Sequence, residues 1–218
     1  MTSKLIVNSI RHTGASADAI TMDASGNVTF PGNATCSGTP SGFGGITMAD
    51  QWRITTGFSS SNQVLNSNWE RHDTYGAGAV GSSLMTESSG VFTFPSTGIW
   101  EINFFGYCND TSNSHTTGGM ISPTVDGGSN FTTATSSYFS VPNVSTYSYG
   151  SFYNTCLFDV TDTSTHKTRF YVYSSGDVTW EGGTDVNSIC AVFKKLGKSI
   201  ILISWILYPP VSNSLPNI

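Results

Sequence analysis

Charge is scarce in this 218-residue chain: Asp, Glu, Lys and Arg make up 11 % of it, where an average soluble protein carries about 25 %. There are 14 acids against 9 bases, a net charge of −5 and no basic run longer than Lys194-Lys195. A phosphate backbone finds no basic stripe, so nucleic-acid binding is not expected. Metal-type spacing is also missing. Cys36, Cys108, Cys156 and Cys190 form no C-x-x-C pair, and His12, His72, His115 and His166 lie far apart, which argues against a zinc site. Cys108, Cys156 and Cys190 each sit in an apolar or aromatic segment and are read as reduced, buried thiols, in keeping with intracellular synthesis. Long hydrophobic runs are absent apart from Ile200 to Tyr208, far short of the roughly 20 residues that span a bilayer. That run is read as a final strand or docked tail, with a short membrane-inserting peptide as the other reading; no membrane insertion is expected. The N-terminus has one Lys and a three-residue apolar stretch before Asn8, which is no secretory signal.

What the chain has in quantity is Ser and Thr, together roughly 28 % of it, and 23 Gly, a mixture that starves helices and suits strands joined by polar turns. The expected class is all-β. Up to about residue 45 apolar residues mostly come singly, as in Ala19-Ile20-Thr21-Met22-Asp23, and aromatics are nearly absent. Short strands with turns at Gly26-Asn27 and Gly32-Asn33 are predicted there, and they would have to bury their faces against other copies of the chain. Ser37 to Gly45 reads as a linker. From Trp52 onward aromatic strands recur: Trp52 to Phe58, Gly90 to Phe94, Ile99 to Cys108, Met120 to Val125, Tyr147 to Val160, Thr168 to Tyr173 and Ile189 to Leu196, with a weak one at Trp69 to Arg71 and a polar loop at Ser59 to Asn68. Such spacing favours an antiparallel sandwich. The resulting division is 1–45, an extended N-terminal segment; 46–197, a sandwich; and 198–218, an apolar tail.

Alternation fixes faces within the longest strands. Trp100, Ile102 and Phe104 form a wholly apolar face and are predicted to point into the core, opposite Glu101 and Asn103. Between Tyr147 and Val160 both faces carry apolar groups, Phe152, Cys156 and Phe158 on one, Tyr153 and Leu157 on the other. A strand covered on both faces points to a subunit interface.

The stretch Gly90-Val-Phe-Thr-Phe-Pro-Ser-Thr-Gly-Ile-Trp-Glu-Ile-Asn-Phe-Phe-Gly-Tyr107 resembles the central signature of the C1q and tumour-necrosis-factor-like jelly roll. Later matches are Thr168-Arg-Phe-Tyr-Val172, the glycine-rich connection from Trp180 to Gly183, and Ser188-Ile-Cys-Ala-Val-Phe193. The likeness covers about Gln51 to Gly197. No collagen-like stalk precedes it, and the apolar tail continues where that family normally stops. The segment Leu5-Ile-Val-Asn-Ser-Ile10 with Ala19-Ile-Thr-Met-Asp-Ala-Ser-Gly-Asn-Val-Thr-Phe30 resembles the N-terminal part of tail-fibre and other virion proteins of marine tailed bacteriophages. Together the two resemblances imply a homotrimeric fibre component or adhesin, located in the virion, with the N-terminal segment holding other virion or tail proteins. The alternative is a soluble C1q-like lectin outside a virion, which should carry a secretion signal and a stalk.

Catalysis is not expected. The pairs Glu181 with Asp185 and Asp159 with Asp162 could be imagined as acid and base of a glycosidase, yet they sit in or beside Gly- and Thr-rich turns where Asp usually serves the turn. There is no G-x-S-x-G motif. The same carboxylates could hold Ca2+, but no EF-hand-type array appears and no cofactor is expected. If the strands alternate up and down, the connections 59–68, 95–98, 126–146 and 174–188 lie at the end away from the N-terminal segment. They include Tyr138, Phe139 and Trp180, predicted to contact a host cell-surface glycan or protein. Trp180 has a second reading, as a cap on the sandwich.

Overall fold

The computed structural model describes residues 7–31, 46–76, 78–111, 114–142 and 148–198. Cys36, the Ser37 to Gly45 linker, the turn at Gly32-Asn33 and the apolar run Ile200 to Tyr208 lie outside them. The chain divides into two compact units, Met1–Gly44 and Gly45–Ile218.

The first unit is a three-stranded antiparallel meander, β1 (Ser9–Ile10), β2 (Ile20–Met22) and β3 (Val28–Thr29). Its β2–β3 turn is made by Asp23. One carboxylate oxygen accepts the N–H groups of Ser25 and Asn27 at 2.9 and 2.8 Å, the other accepts the Asn27 amide at 2.7 Å, and Gly26 takes φ +83°, which glycine adopts without strain. Ile10, Val28 and Phe30 remain exposed.

The second unit is an 11-stranded antiparallel sheet folded on itself. Its strands are β4 (Ala49–Ile54), β5 (Phe58–Val64), β6 (Trp69–Arg71), β7 (Thr86–Ser88), β8 (Val91–Thr93), β9 (Gly98–Asp110), β10 (Ser114–Thr124), β11 (Thr135–Val141), β12 (Ser148–Val160), β13 (Lys167–Trp180) and β14 (Ile189–Gly197). One layer runs β12-β9-β14-β4-β6. The other runs β11-β10-β13, with β5 and the β7–β8 hairpin alongside β13. The layers meet where Thr179 and Trp180 pair with Asn109 and Cys108. The expected all-β antiparallel sandwich is what the chain forms.

Aromatic rings fill the space between the layers. Trp100, Ile102 and Phe104 face inward, as their alternation predicts, and are at most 1 % exposed. Phe92 lies 5.1–5.5 Å from Trp52, Trp69, Phe170 and Phe193, separations at which tilted and edge-to-face rings attract. Phe152 fits only because glycine stands opposite it: a Cβ on Gly119 would lie 2.2 Å from its ring.

The structure corrects the expected connections. Ser59 to Asn68 is not a loop but mostly strand β5. The 126–146 connection contains strand β11, and β13 runs on to Trp180 instead of stopping at Tyr173. The unforeseen strands change the up-and-down count. Gly98 pairs with Val160 and Ile99 with Gly197, while Ala49 pairs with Lys194, so the 95–98 turn lies at the end where the chain comes in. The Gly127 N–H bonded to the Thr165 carbonyl puts the start of the 126–146 stretch near the 161–166 turn, which follows β12 at that same end. Residues 55–57 and 181–188 do lie at the far end, tied together by the bond from Gly183 N–H to the Ile54 carbonyl.

Candidate functional site

The pleat of β12 sends alternate side chains in opposite directions. Phe152 and Asn154 are buried, whereas Tyr149, Tyr153 and Leu157 are 66 %, 58 % and 68 % exposed. In register with this outer row, β9 places Tyr107, Phe105, Asn103 and Glu101 opposite Ser151, Tyr153, Thr155 and Leu157. Phe105 stacks on Tyr153 and Tyr107 leans on Tyr149, each pair 6.4 Å between centroids. The Tyr153 hydroxyl donates to Asn103 Oδ1 at 2.7 Å. Next along, β14 contributes Val192 opposite Asn103 and Lys194 opposite Glu101, the latter pair bridged at 3.4 Å. The result is an aromatic, half-exposed face carrying three large apolar side chains that water would rather not solvate.

Toward β4 and β6 the same face becomes ionic. Arg53 is 1 % exposed; its guanidinium donates to Glu70 at 2.8 and 3.0 Å, to Asp73 at 3.0 Å and to the Thr74 hydroxyl at 2.9 Å. On the core side, buried Asp50 accepts two bonds from Arg71 and one from the Met85 N–H. Every such buried charge is paired, as burial demands. Sequence reading missed both clusters, whose charged members lie about 20 positions apart and come together where β4 pairs with β6.

Of the three predicted contact residues, the structure exposes one. Tyr138, on β11, is 51 % exposed and packs edge-on against Tyr173 of β13 at 6.1 Å. Phe139 points the other way, against the core, over the bare backbone of Gly150. Trp180 is 0 % exposed; its ring lies 6.0 Å from Phe152 and its indole N–H donates to the Ser60 carbonyl. Trp180 is therefore a core residue closing the sandwich, unavailable to a ligand on this surface. Tyr173 was missed as a partner for Tyr138, although the alternation Arg169-Phe170-Tyr171-Val172-Tyr173 already puts Arg169, Tyr171 and Tyr173 on one face.

No protein-family model and no curated protein matches the chain. Solved structures do. Eiger TNF from S. frugiperda aligns at 12 % identity over 69 % of this chain and 93 % of its own, with a TM-score of 0.52. Murine APRIL at pH 5.0 aligns at 14 % identity over 68 % and 98 %, with a TM-score of 0.50. The fold is a TNF-like jelly roll.

Within this jelly roll two of the carboxylates considered for catalysis or metal binding, Glu181 and Asp162, serve local structure, as does Asp126. Glu181 accepts the Asn109 amide. Asp162 accepts the Ser164 N–H and hydroxyl, and these bonds lower its pKa. Asp126 accepts Thr124 and both Asn130 donors, which holds it well below the usual carboxylate range. Among the described residues no group of three or more His, Cys, Asp or Glu side chains is placed to hold a metal ion. The described thiols are free; burial pushes Cys108 and Cys190 up to about 12 and Cys156 to about 11.

Proposed function

We propose that this chain is a non-enzymatic, self-associating binding protein: a homotrimeric tail-fibre or receptor-binding component of a tailed-phage virion, with residues 1–45 holding the virion and the jelly roll contacting the host cell. The observation that carries self-association is the outer row of β12, where Tyr149, Tyr153 and Leu157 stand more than half exposed beside Phe105, Tyr107 and Val192. Burying a side chain of this kind is worth about 1.5–3 kcal/mol, and a cyclic assembly buries the row in every copy. The number three and the virion setting rest on the sequence resemblances. The exposed Ile10, Val28 and Phe30 of the β1–β3 meander fit a segment that is completed by other copies.

Light scattering tests the assembly. The intact protein is expected at three chain masses, and the double variant Leu157→Asp/Tyr153→Ser at one, with an unchanged far-ultraviolet spectrum. A wild-type monomer at micromolar concentration overturns the reading. Mass spectrometry of purified virions tests the setting: the protein is expected among the structural components, and its absence favours the soluble lectin.

A further inference from the structure

The opposite face of the jelly roll, the outer side of β11-β10-β13-β5, carries a second aromatic arrangement. Strand register sets it out in two rows. The first is Tyr138, Gly118, Tyr173 and Asn62, the second Ser136, Met120, Tyr171 and Val64. Four strands spaced about 4.8 Å apart make this surface about 14 Å across, and the rows lie about 7 Å apart.

Three features of it point to one kind of ligand. Tyr138 and Tyr173 hold a defined edge-on geometry at 6.1 Å with only the backbone of Gly118 between them, because a Cβ there would lie 1.9 Å from the Ser137 carbonyl. The exposed Tyr138 thus borders the bare backbone of Gly118. Next, the Tyr171 hydroxyl donates to Asn62 Oδ1 at 3.1 Å, which holds the amide of this exposed side chain in one orientation. Finally, neither row contains a charged residue; in the following row Arg169 is stacked over Phe131 at 4.2 Å. Flat apolar rings flanked by oriented amide and hydroxyl groups, without charge, match a molecule that presents C–H faces and hydroxyls together.

We propose that this face, with Tyr138, Tyr173, Tyr171 and Asn62 as its working residues, binds a neutral oligosaccharide. The proposal rests on the receptor-binding reading above and gives that reading its ligand class. It also separates the two faces of the jelly roll: β12-β9 meets other copies, while β11-β10-β13-β5 stays free for the sugar. Because three linked heads multiply weak single contacts, binding is strong only in the assembled protein.

The test uses the full-length trimer on an array of neutral, sialylated and sulfated oligosaccharides, followed by titration of the best neutral probe. Binding to neutral oligosaccharides is expected. Tyr138→Ser/Tyr173→Ser should weaken it by roughly tenfold or more, whereas Tyr138→Phe, which keeps the ring, should bind within about threefold of wild type. Trimer mass and thermal midpoint are measured on each variant, so a folding defect is not mistaken for lost recognition. Binding only to anionic probes, no binding to any probe, or undiminished binding by the folded double serine variant overturns the proposal. Adsorption of the same proteins to host cells separates the two readings. Wild-type and double serine proteins that adsorb equally leave the receptor-binding reading intact and remove this face; a wild-type protein that adsorbs to no host cell removes the reading itself.

Discussion

Gly119 shows how closely one residue can govern this core. Phe152 is 5 % exposed and lies 4.8 Å from the Phe104 ring, in space that a Cβ on Gly119 would invade to 2.2 Å. Gly119→Ala should therefore cost about 1–3 kcal/mol in urea unfolding, as overpacking does. Phe152→Leu added to it should recover part of that loss, a coupling that the double-mutant cycle measures. The thiols give a second check. Cys108 and Cys190 stay protonated up to about 12 when folded, through burial above all, while an unfolded cysteine ionises near 8.5. Protons are thus held by the folded form and released by the unfolded one between those values, so stability should be complete below about pH 8.5 and fall as pH rises toward 12. The thermal midpoint across that range measures it. Iodoacetamide mapping of the native protein should leave both residues unlabelled.

At the scale of elements, the same turn appears twice on unrelated parts of the chain. Asp23 with Asn27 and Asp126 with Asn130 each use one carboxylate to gather the N–H and side-chain amide of the residue four positions on, with glycine at positive φ between them. Bonding to the charged form lowers both pKa values from 3.8. The stabilisation is present above that value and is lost as pH falls below it. Asp126→Ala should lower the thermal midpoint at pH 7 and flatten its decline below pH 4, which a pH series of melts would show. The β7–β8 hairpin has equally local causes: Ser89 and Gly90 both take positive φ, at 52° and 81°, the two-residue turn whose twist suits a tight hairpin.

For the whole molecule, the two faces of the jelly roll differ in what they leave unfinished. The β12-β9 face exposes an apolar row beside the buried Arg53 cluster, a row that the proposed assembly would cover. Stability coupled to assembly depends on concentration by mass action. The thermal midpoint of the wild-type protein should rise with protein concentration in the micromolar range, and Leu157→Asp should abolish that dependence. A midpoint independent of concentration in a protein of single-chain mass would leave the exposed row without a partner.

The class of fold and much of its interior were legible in the amino acids alone. Sparse charge and abundant Ser, Thr and Gly excluded helices, and the alternation around Trp100, Ile102 and Phe104 told core from surface, because side chains on a strand change face at every residue whatever its neighbours are. Strands β5 and β11 escaped notice because they are mostly polar. They are strands because β13 and β10 supply their hydrogen-bonding partners, which no local pattern records. That omission misplaced the 95–98 turn and the start of the 126–146 stretch, and ending β13 at Tyr173 left Trp180 in a loop when it closes the core. The omission also hid the meeting of Tyr138 with Tyr173, while that of Arg53 with Glu70 and Asp73 depended on β4 pairing with β6. A sequence determines which way each side chain faces along its own strand; which strands lie side by side, and therefore which residues share a surface, is decided only when distant segments pair.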